Sequence, residues 1–261
     1  MFARKKRPVY CLKDSLPEAR TWFESERGQY LLEAEKRVLH ELLPRMFGHH
    51  ASTLGVHPDA SLLDHTHIVY KTFLTPLQEP AGPGSVCISP NEWGIQPRSM
   101  NMVLLHHALD FAGRPHRVLR EACRAILPGG KLVVVGFNPR SLWNPARMLD
   151  RRAEGIMGRA RFYQPRRIKD WLTLLNFRTT ELRYGDGLFP VTCHLNPERL
   201  KTVESFVAAT RLEMGAFYVL VAVKERSGLI PYDRRWRSTG NRLLGTTACR
   251  TGNMMNKSDG R

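Results

Sequence analysis

The stretch PHRVLREACRAILPGGKLVVVGF, residues 115–137, decides the fold class. Pro115 suits the first position of a helix, where its missing N–H costs nothing. Val118, Leu119, Ala122 and Ile126 then recur at the spacing of one helical face. Pro128-Gly129-Gly130 is expected to stop that helix. Residues 131–137 read as a strand whose centre, Leu132 to Val135, is apolar without interruption. A strand buried on both faces needs that pattern, which arises where helices cover both sides of a parallel sheet.

The same alternation continues outward in both directions. Six further strands are expected, at residues 50–55, 66–70, 85–88, 100–106, 178–184 and 216–224. Behind Pro165, a second inward helical stripe runs through Ile168, Trp171, Leu172 and Leu175, and an Asn196-capped helix started by Pro197 is expected before the last strand. Upstream, residues 17–47 carry Leu31, Leu32, Val38, Leu39, Leu42 and Leu43 at helical spacings, and Pro44 ends or kinks that helix. Strands alternating with amphipathic helices predict an open, doubly wound α/β sheet. The expected organisation is a basic segment with a helical cap over residues 1–47, an α/β domain over 48–224 and a basic, unstructured tail over 225–261.

Composition narrows the function classes. With 42% apolar residues in 261, a substantial core is available and wholesale disorder is excluded. The longest apolar runs, residues 132–137 and 217–223, fall far short of the roughly 20 residues that cross a bilayer. Arg4 to Arg7 are followed at once by Lys13 and Asp14, so export is not expected and a cytoplasmic setting is. Cys11, Cys87, Cys123, Cys193 and Cys249 are scattered without a C-x-x-C pair, which argues for a reducing compartment and against a zinc ribbon. Cys87 and Cys123 read as small core hydrophobes. Forty Lys and Arg against 24 Asp and Glu leave a net charge of +16. Part of it sits at the two ends and part in residues 140–169, with nine bases and two acids. Such a field attracts phosphate-rich partners, and it serves equally as a solvated face.

Three runs carry a resemblance: Val103-Leu104-Leu105-His106-His107-Ala108-Leu109-Asp110-Phe111, then Arg114-Pro115-His116-Arg117, then Leu127-Pro128-Gly129-Gly130-Lys131-Leu132. Together they resemble the second half of a class I S-adenosylmethionine-dependent methyltransferase domain of the type 11 kind. The continuation Gly136-Phe137-Asn138-Pro139-Arg140-Ser141-Leu142-Trp143, with Asp170-Trp171-Leu172 and Leu175-Asn176-Phe177, is similar to a bacterial subgroup of small methyltransferase-like proteins. The resemblance covers residues 100–224. It implies a Rossmann-like sheet of seven strands, the last antiparallel, with S-adenosyl-L-methionine lying across the carboxyl ends of the first four. The crevice rule for open α/β sheets points independently to that edge.

The first half departs from the pattern. A methyltransferase of this kind has an acidic residue and a glycine run after the first strand, whereas this chain has Thr53-Leu54-Gly55-Val56-His57-Pro58-Asp59. The second strand runs into Tyr70-Lys71, where the family's ribose-binding carboxylate is expected, and lysine accepts no hydrogen bond. Ser89-Pro90-Asn91-Glu92-Trp93 stands in place of the adenine-binding Asp-Ala segment. The resemblance thus implies a cofactor site at Leu54, Gly55, Val56, His57, Lys71, Asn91, Glu92, Trp93 and His106, altered or lost.

Methyl transfer asks mainly for alignment and exclusion of water, plus a base where the acceptor carries a proton. His106 and His107 are the candidates for that base, since opposite pointing on a strand would aim one of them at the pocket. The alternative is that one is packed and the other lines the pocket. Asn138 and Arg140 are candidates for binding substrate, although Asn138-Pro139 also suits a plain turn. His49, His50, His57, His65 and His67 lack a matched carboxylate or cysteine set, and no metal site is expected from them. Trp22 and Phe23 precede the long helix, which either lids the cofactor mouth or packs as a hydrophobic cap. Two functions follow. One is a methyltransferase acting on an anionic or nucleic-acid substrate; the other is a non-catalytic module of the same fold that binds nucleic acid or a protein. A nicotinamide oxidoreductase is disfavoured by the missing G-x-G-x-x-G turn.

Overall fold

The computed structural model describes residues 11–57, 60–77, 84–141, 155–185 and 215–225. The helix expected from Asn196, residues 142–154 and the basic tail lie outside these residues. Seven strands form one sheet: β1 (His50–Gly55), β2 (Tyr70–Thr75), β3 (Ser85–Cys87), β4 (Met100–His106), β5 (Ile126–Phe137), β6 (Phe177–Gly185) and β7 (Phe217–Lys224). Their order is β3-β2-β1-β4-β5-β7-β6. β1 to β5 pair in parallel, and β7 runs antiparallel between β5 and β6. This is the expected Rossmann-like arrangement with a reversed last strand. The chain winds outward from β1 to β3 and then crosses back to β4, so the switch point falls between β1 and β4. No helix among the described residues is long and apolar enough to cross a membrane.

Among the described residues the α-helices are α1 (Leu12–Glu24), α2 (Glu26–Leu42), α3 (Ala108–Phe111), α4 (Pro115–Ala125), α5 (Ile156–Arg159) and α6 (Pro165–Leu174). Burial of Leu132 to Val135 in β5 and of Phe217 to Ala222 in β7 matches their unbroken apolar runs. Two expected boundaries differ. β5 begins at Ile126, so Pro128-Gly129-Gly130 lies inside the strand, beside a register irregularity opposite Met100 and Met102. β2 spans Tyr70–Thr75 rather than residues 66–70, because β1 pairs from His50↔Tyr70 onward. Thr66 instead closes the preceding turn, its hydroxyl donating to the Leu63 carbonyl at 3.0 Å.

The expected long N-terminal helix is two helices with a corner at Ser25. Ser25 leaves helical geometry (φ −68°, ψ 158°) and its side chain accepts from the Gly28 N–H, capping α2. Gly28 is required for that corner: a Cβ there would stand 2.2 Å from the Trp22 carbonyl oxygen. α1 presents Leu12, Leu16, Ala19 and Phe23 inward, and α2 presents Leu31, Leu32, Ala34, Glu35, Leu39 and Leu42. One of these inward residues is a carboxylate.

Candidate functional site

β1 and β4 end side by side, with Gly55 paired to His106 and the Val56 N–H donating to the His106 carbonyl. The glycine allows this approach, since a Cβ on Gly55 would meet the His106 Cβ at 3.0 Å. His107 follows in the left-handed region (φ 52°, ψ 10°), where a non-glycine residue is strained. Its N–H donates to the Val135 carbonyl. The turn breaks strand alternation, so the two imidazoles converge rather than point to opposite faces. Both reach Glu35 of α2. His106 Nε2 lies 2.8 Å from one carboxylate oxygen and His107 Nε2 lies 2.6 Å from the other. On its far side His107 Nδ1 meets Asp110 Oδ2 at 2.9 Å, and that oxygen also accepts the Phe137 N–H. All four side chains are buried.

Charges in this cluster follow from burial set against partners. Burial alone would raise the Glu35 pKa, but the two imidazoles overcome it and hold the carboxyl at about 2. Burial alone would lower His107, yet Glu35 and Asp110 raise it to about 9. His106 is lowered, burial outweighing its contact with Glu35. Asp110 is raised, burial outweighing His107 and the Phe137 N–H. At neutral pH the core of the cluster is therefore a Glu35 carboxylate and a His107 imidazolium. His106 is neutral with its proton on Nε2, a tautomer assigned from its bond to Glu35. Its Nδ1 and Asp110 Oδ1 have no hydrogen-bond partner among the described residues.

Phe23 closes the arrangement from α1. Its fully buried ring lies 5.5 Å from that of His106, 5.6 Å from His107 and 6.2 Å from His57. Trp22 meets Phe23 edge-on at 5.0 Å, and Phe137 stacks on His107 at 3.9 Å. An ion pair between Arg159 and Glu18 and a bond from the Arg161 N–H to the Asp110 carbonyl tie α1 and α3 to the segment around α5. The switch-point crevice is thus filled by α1, α2 and the two histidines.

Glu35, His106 and His107 also bring one ligand atom each within 4.8 Å of the others, a separation compatible with a metal ion. The carboxylate-to-imidazole distances of 2.6 and 2.8 Å, however, are those of hydrogen bonds. Metal bonds of about 2.0–2.1 Å in tetrahedral geometry would set ligands about 3.3 Å apart. We read the cluster as an ionic clamp.

The remaining expected site residues are dispersed. Leu54 and Val56 are core residues, and His57 is half-buried against Phe23. Lys71 stands at the amino end of β2, away from the crevice, because the strand begins later than its sequence suggests. Asn91 is half-buried and lines a small cavity of about 120 Å³ together with Cys11, Pro90, Ala112 and Arg114. Glu92 is exposed. Trp93 is buried, its indole N–H donating to the Pro90 carbonyl and its backbone N–H to Glu121. Asn138 is buried and serves a turn, its amide donating to the Gly215 carbonyl and accepting from the Arg140 N–H. Arg140 lines a different cavity. The five sequence-clustered histidines do not assemble: His49, His50, His65 and His67 are exposed, and the His65 ring lies tilted against that of His40. Cys123 is buried as expected, with its thiol pushed up to about 12 by burial, whereas Cys87 is exposed on the edge strand β3.

Glu35 and Asp110 were not picked out by sequence reasoning. The signal for Glu35 was present, since it stands four residues after Leu31 and four before Leu39 on the inward face of α2.

An adenosyl sulfonium needs room at the β1–β4 edge and acceptors for its amino group and ribose. In this arrangement the described residues leave no such room. The space holds Phe23, Glu35 is engaged by both histidines, and Asp110 lies buried behind His107.

The fold is that of solved class I methyltransferases. A methyltransferase from Thermotoga maritima that uses S-adenosylmethionine, a possible histamine N-methyltransferase, superposes with a TM-score of 0.58 and 18% identity, covering 82% of this chain and all of that one. A putative methyltransferase in complex with the Haloferax volcanii Trm112 activator gives 0.57 and 14%, over 83% and 99%. Geranyl diphosphate C-methyltransferase from Streptomyces coelicolor, solved with Mg²⁺, geranyl diphosphate and S-adenosylhomocysteine, gives 0.52 and 14%, over 76% and 80%. Among curated proteins, the uncharacterized protein YafS of Escherichia coli is 28% identical over 161 residues, which cover 60% of this chain and 64% of YafS. No protein-family model matches the chain.

Proposed function

We propose that this chain is an S-adenosylmethionine-dependent methyltransferase of the bacterial type 11 kind, working in the cytoplasm on an anionic substrate. Its cofactor crevice would be covered by α1 and α2 in the closed form. The observation that carries the proposal is the sheet itself: a switch point between β1 and β4, followed by a reversed β7, in the order that the methyltransferase neighbours share. Some of those neighbours were solved with S-adenosylmethionine or its demethylated product. Cofactor entry would require Phe23 and Glu35 to withdraw, which would also expose His106 and His107. The cofactor would supply an electrophilic methyl group. The chain's own residues would align the acceptor and exclude water.

The filled crevice favours a second reading, a non-catalytic module of the same fold that binds nucleic acid or a protein through its basic surface. Calorimetric titration of S-adenosylhomocysteine separates the two. A methyltransferase binds it, and Phe23→Ala strengthens binding by enlarging the open population, because apparent affinity scales with the competent fraction. Failure of both proteins to bind at millimolar ligand, with both folded, supports the module.

A further inference from the structure

A second cavity lies on the same carboxyl edge of the sheet, over β5 and β6. It encloses about 360 Å³, and its lining includes Asn138, Arg140, Gln164, Arg166, Lys169 and Tyr184. Two basic segments distant in sequence meet here. Arg140 follows β5, while Arg166 and Lys169 stand one turn apart on the first half of α6. No carboxylate is among the described residues that line the space. α6 is ten residues long and begins at Pro165, in the lining, so the positive end of its dipole adds to the three cations. The turn that carries Arg140 is fixed. Asn138 accepts the Arg140 N–H at 3.0 Å and is itself held by the Gly215 carbonyl at 2.8 Å.

We propose that this cavity binds a small molecule through a phosphate monoester. Guanidinium forks and an ammonium are the groups that pair with a phosphate dianion. The volume is near the lower end of the about 300–1,000 Å³ usual for small-ligand pockets, which suits a compact molecule better than a polymer. The apolar part of such a ligand would lie against Leu182 and the Tyr184 ring. That the bound molecule is the methyl acceptor rests on the methyltransferase reading; that the site takes a phosphate monoester does not.

The test is calorimetric titration of the full chain, at fixed ionic strength and without S-adenosylmethionine, using phenyl phosphate and its sulfate isostere. Phenyl phosphate is expected to saturate one site and to bind about tenfold more tightly than phenyl sulfate at pH 7.5. Lys169→Met and Arg166→Gln, both at surface positions of α6, should each weaken it about tenfold or more, the usual effect of losing a charge-assisted hydrogen bond. An Arg234→Gln/Arg235→Gln double variant in the C-terminal segment should leave it unchanged. Equal affinity in wild type and the α6 variants overturns the proposal. So does unsaturable binding, or displacement of phenyl phosphate by a single-stranded oligonucleotide at lower concentration. Because no cofactor is present, a negative result here leaves the methyltransferase reading standing, and the converse also holds.

Discussion

Replacing Glu35 with alanine tests how the helical cap is held. The carboxylate accepts from both imidazoles at 2.8 and 2.6 Å, and all three side chains are buried. Two routes give its worth. Breaking a buried ion pair from one side costs about 3–5 kcal/mol. Separately, His107 rises from 6.5 to about 9, and at about 1.4 kcal/mol per pKa unit this corresponds to about 3 kcal/mol. The second figure is the net of Glu35 and Asp110 together against burial, not the share of Glu35 alone, and it is not added to the first. For a body of this size each kcal/mol moves the melting temperature by about 2–4 °C, so Glu35→Ala should melt roughly 6–20 °C below wild type. The pH dependence carries the sign. A histidine whose folded pKa is raised stabilises fully below its unfolded value and loses that contribution as pH climbs through the folded value. Wild type should therefore lose about 3 kcal/mol between pH 6.5 and about 9.5, whereas Glu35→Ala, in which Asp110 alone still supports the His107 charge, should lose distinctly less there. On the acid side His106, buried neutral, and then Glu35 withdraw support as each is protonated. Urea denaturation at a series of pH values measures this. A melting shift under 2 °C, or parallel alkaline limbs for the two proteins, would refute the clamp.

Other outcomes follow from the same geometry. Gly28→Ala forces a Cβ to 2.2 Å from the Trp22 carbonyl oxygen, so the α1–α2 corner should loosen, read as a lowered melting temperature and faster proteolysis within residues 12–42. Phe23→Ala should cost about 3–5 kcal/mol in urea denaturation, while strengthening S-adenosylhomocysteine binding. Lys224→Met removes an ammonium that donates to the Cys123 and Ile126 carbonyls at 2.6 and 2.7 Å. The variant should lose about 1–3 kcal/mol by the same measurement.

Much of the sheet was legible because its signals are local. The unbroken run from Leu132 to Val135 and the stripe Val118, Leu119, Ala122 each encode burial in a few consecutive residues. Residues 66–75 are strand-like throughout, so sequence alone gave no means of choosing which part pairs with β1. Hydrogen bonds from His50 onward made that choice, and they carried Lys71 to the wrong end of the strand for a cofactor. The candidate site was legible in only one half. His106 and His107 were visible as a pair at a strand end. Their convergence depends on the left-handed turn at His107, which has no local signature, and on a carboxylate 71 and 72 residues earlier in the chain, whose inward position the helical spacing marks but whose partners it does not. Asn138 was visible as a turn residue, while the joining of Arg140 to Arg166 and Lys169 is a product of topology.

Hydrogen–deuterium exchange with and without S-adenosylhomocysteine tests the central claim most directly. The account predicts faster exchange of α1 and α2 amides on ligand addition, with slower exchange at residues 54–57, as the cap lifts and the β1 edge takes up the ligand. Unchanged or slower exchange of both helices at saturating ligand would contradict it.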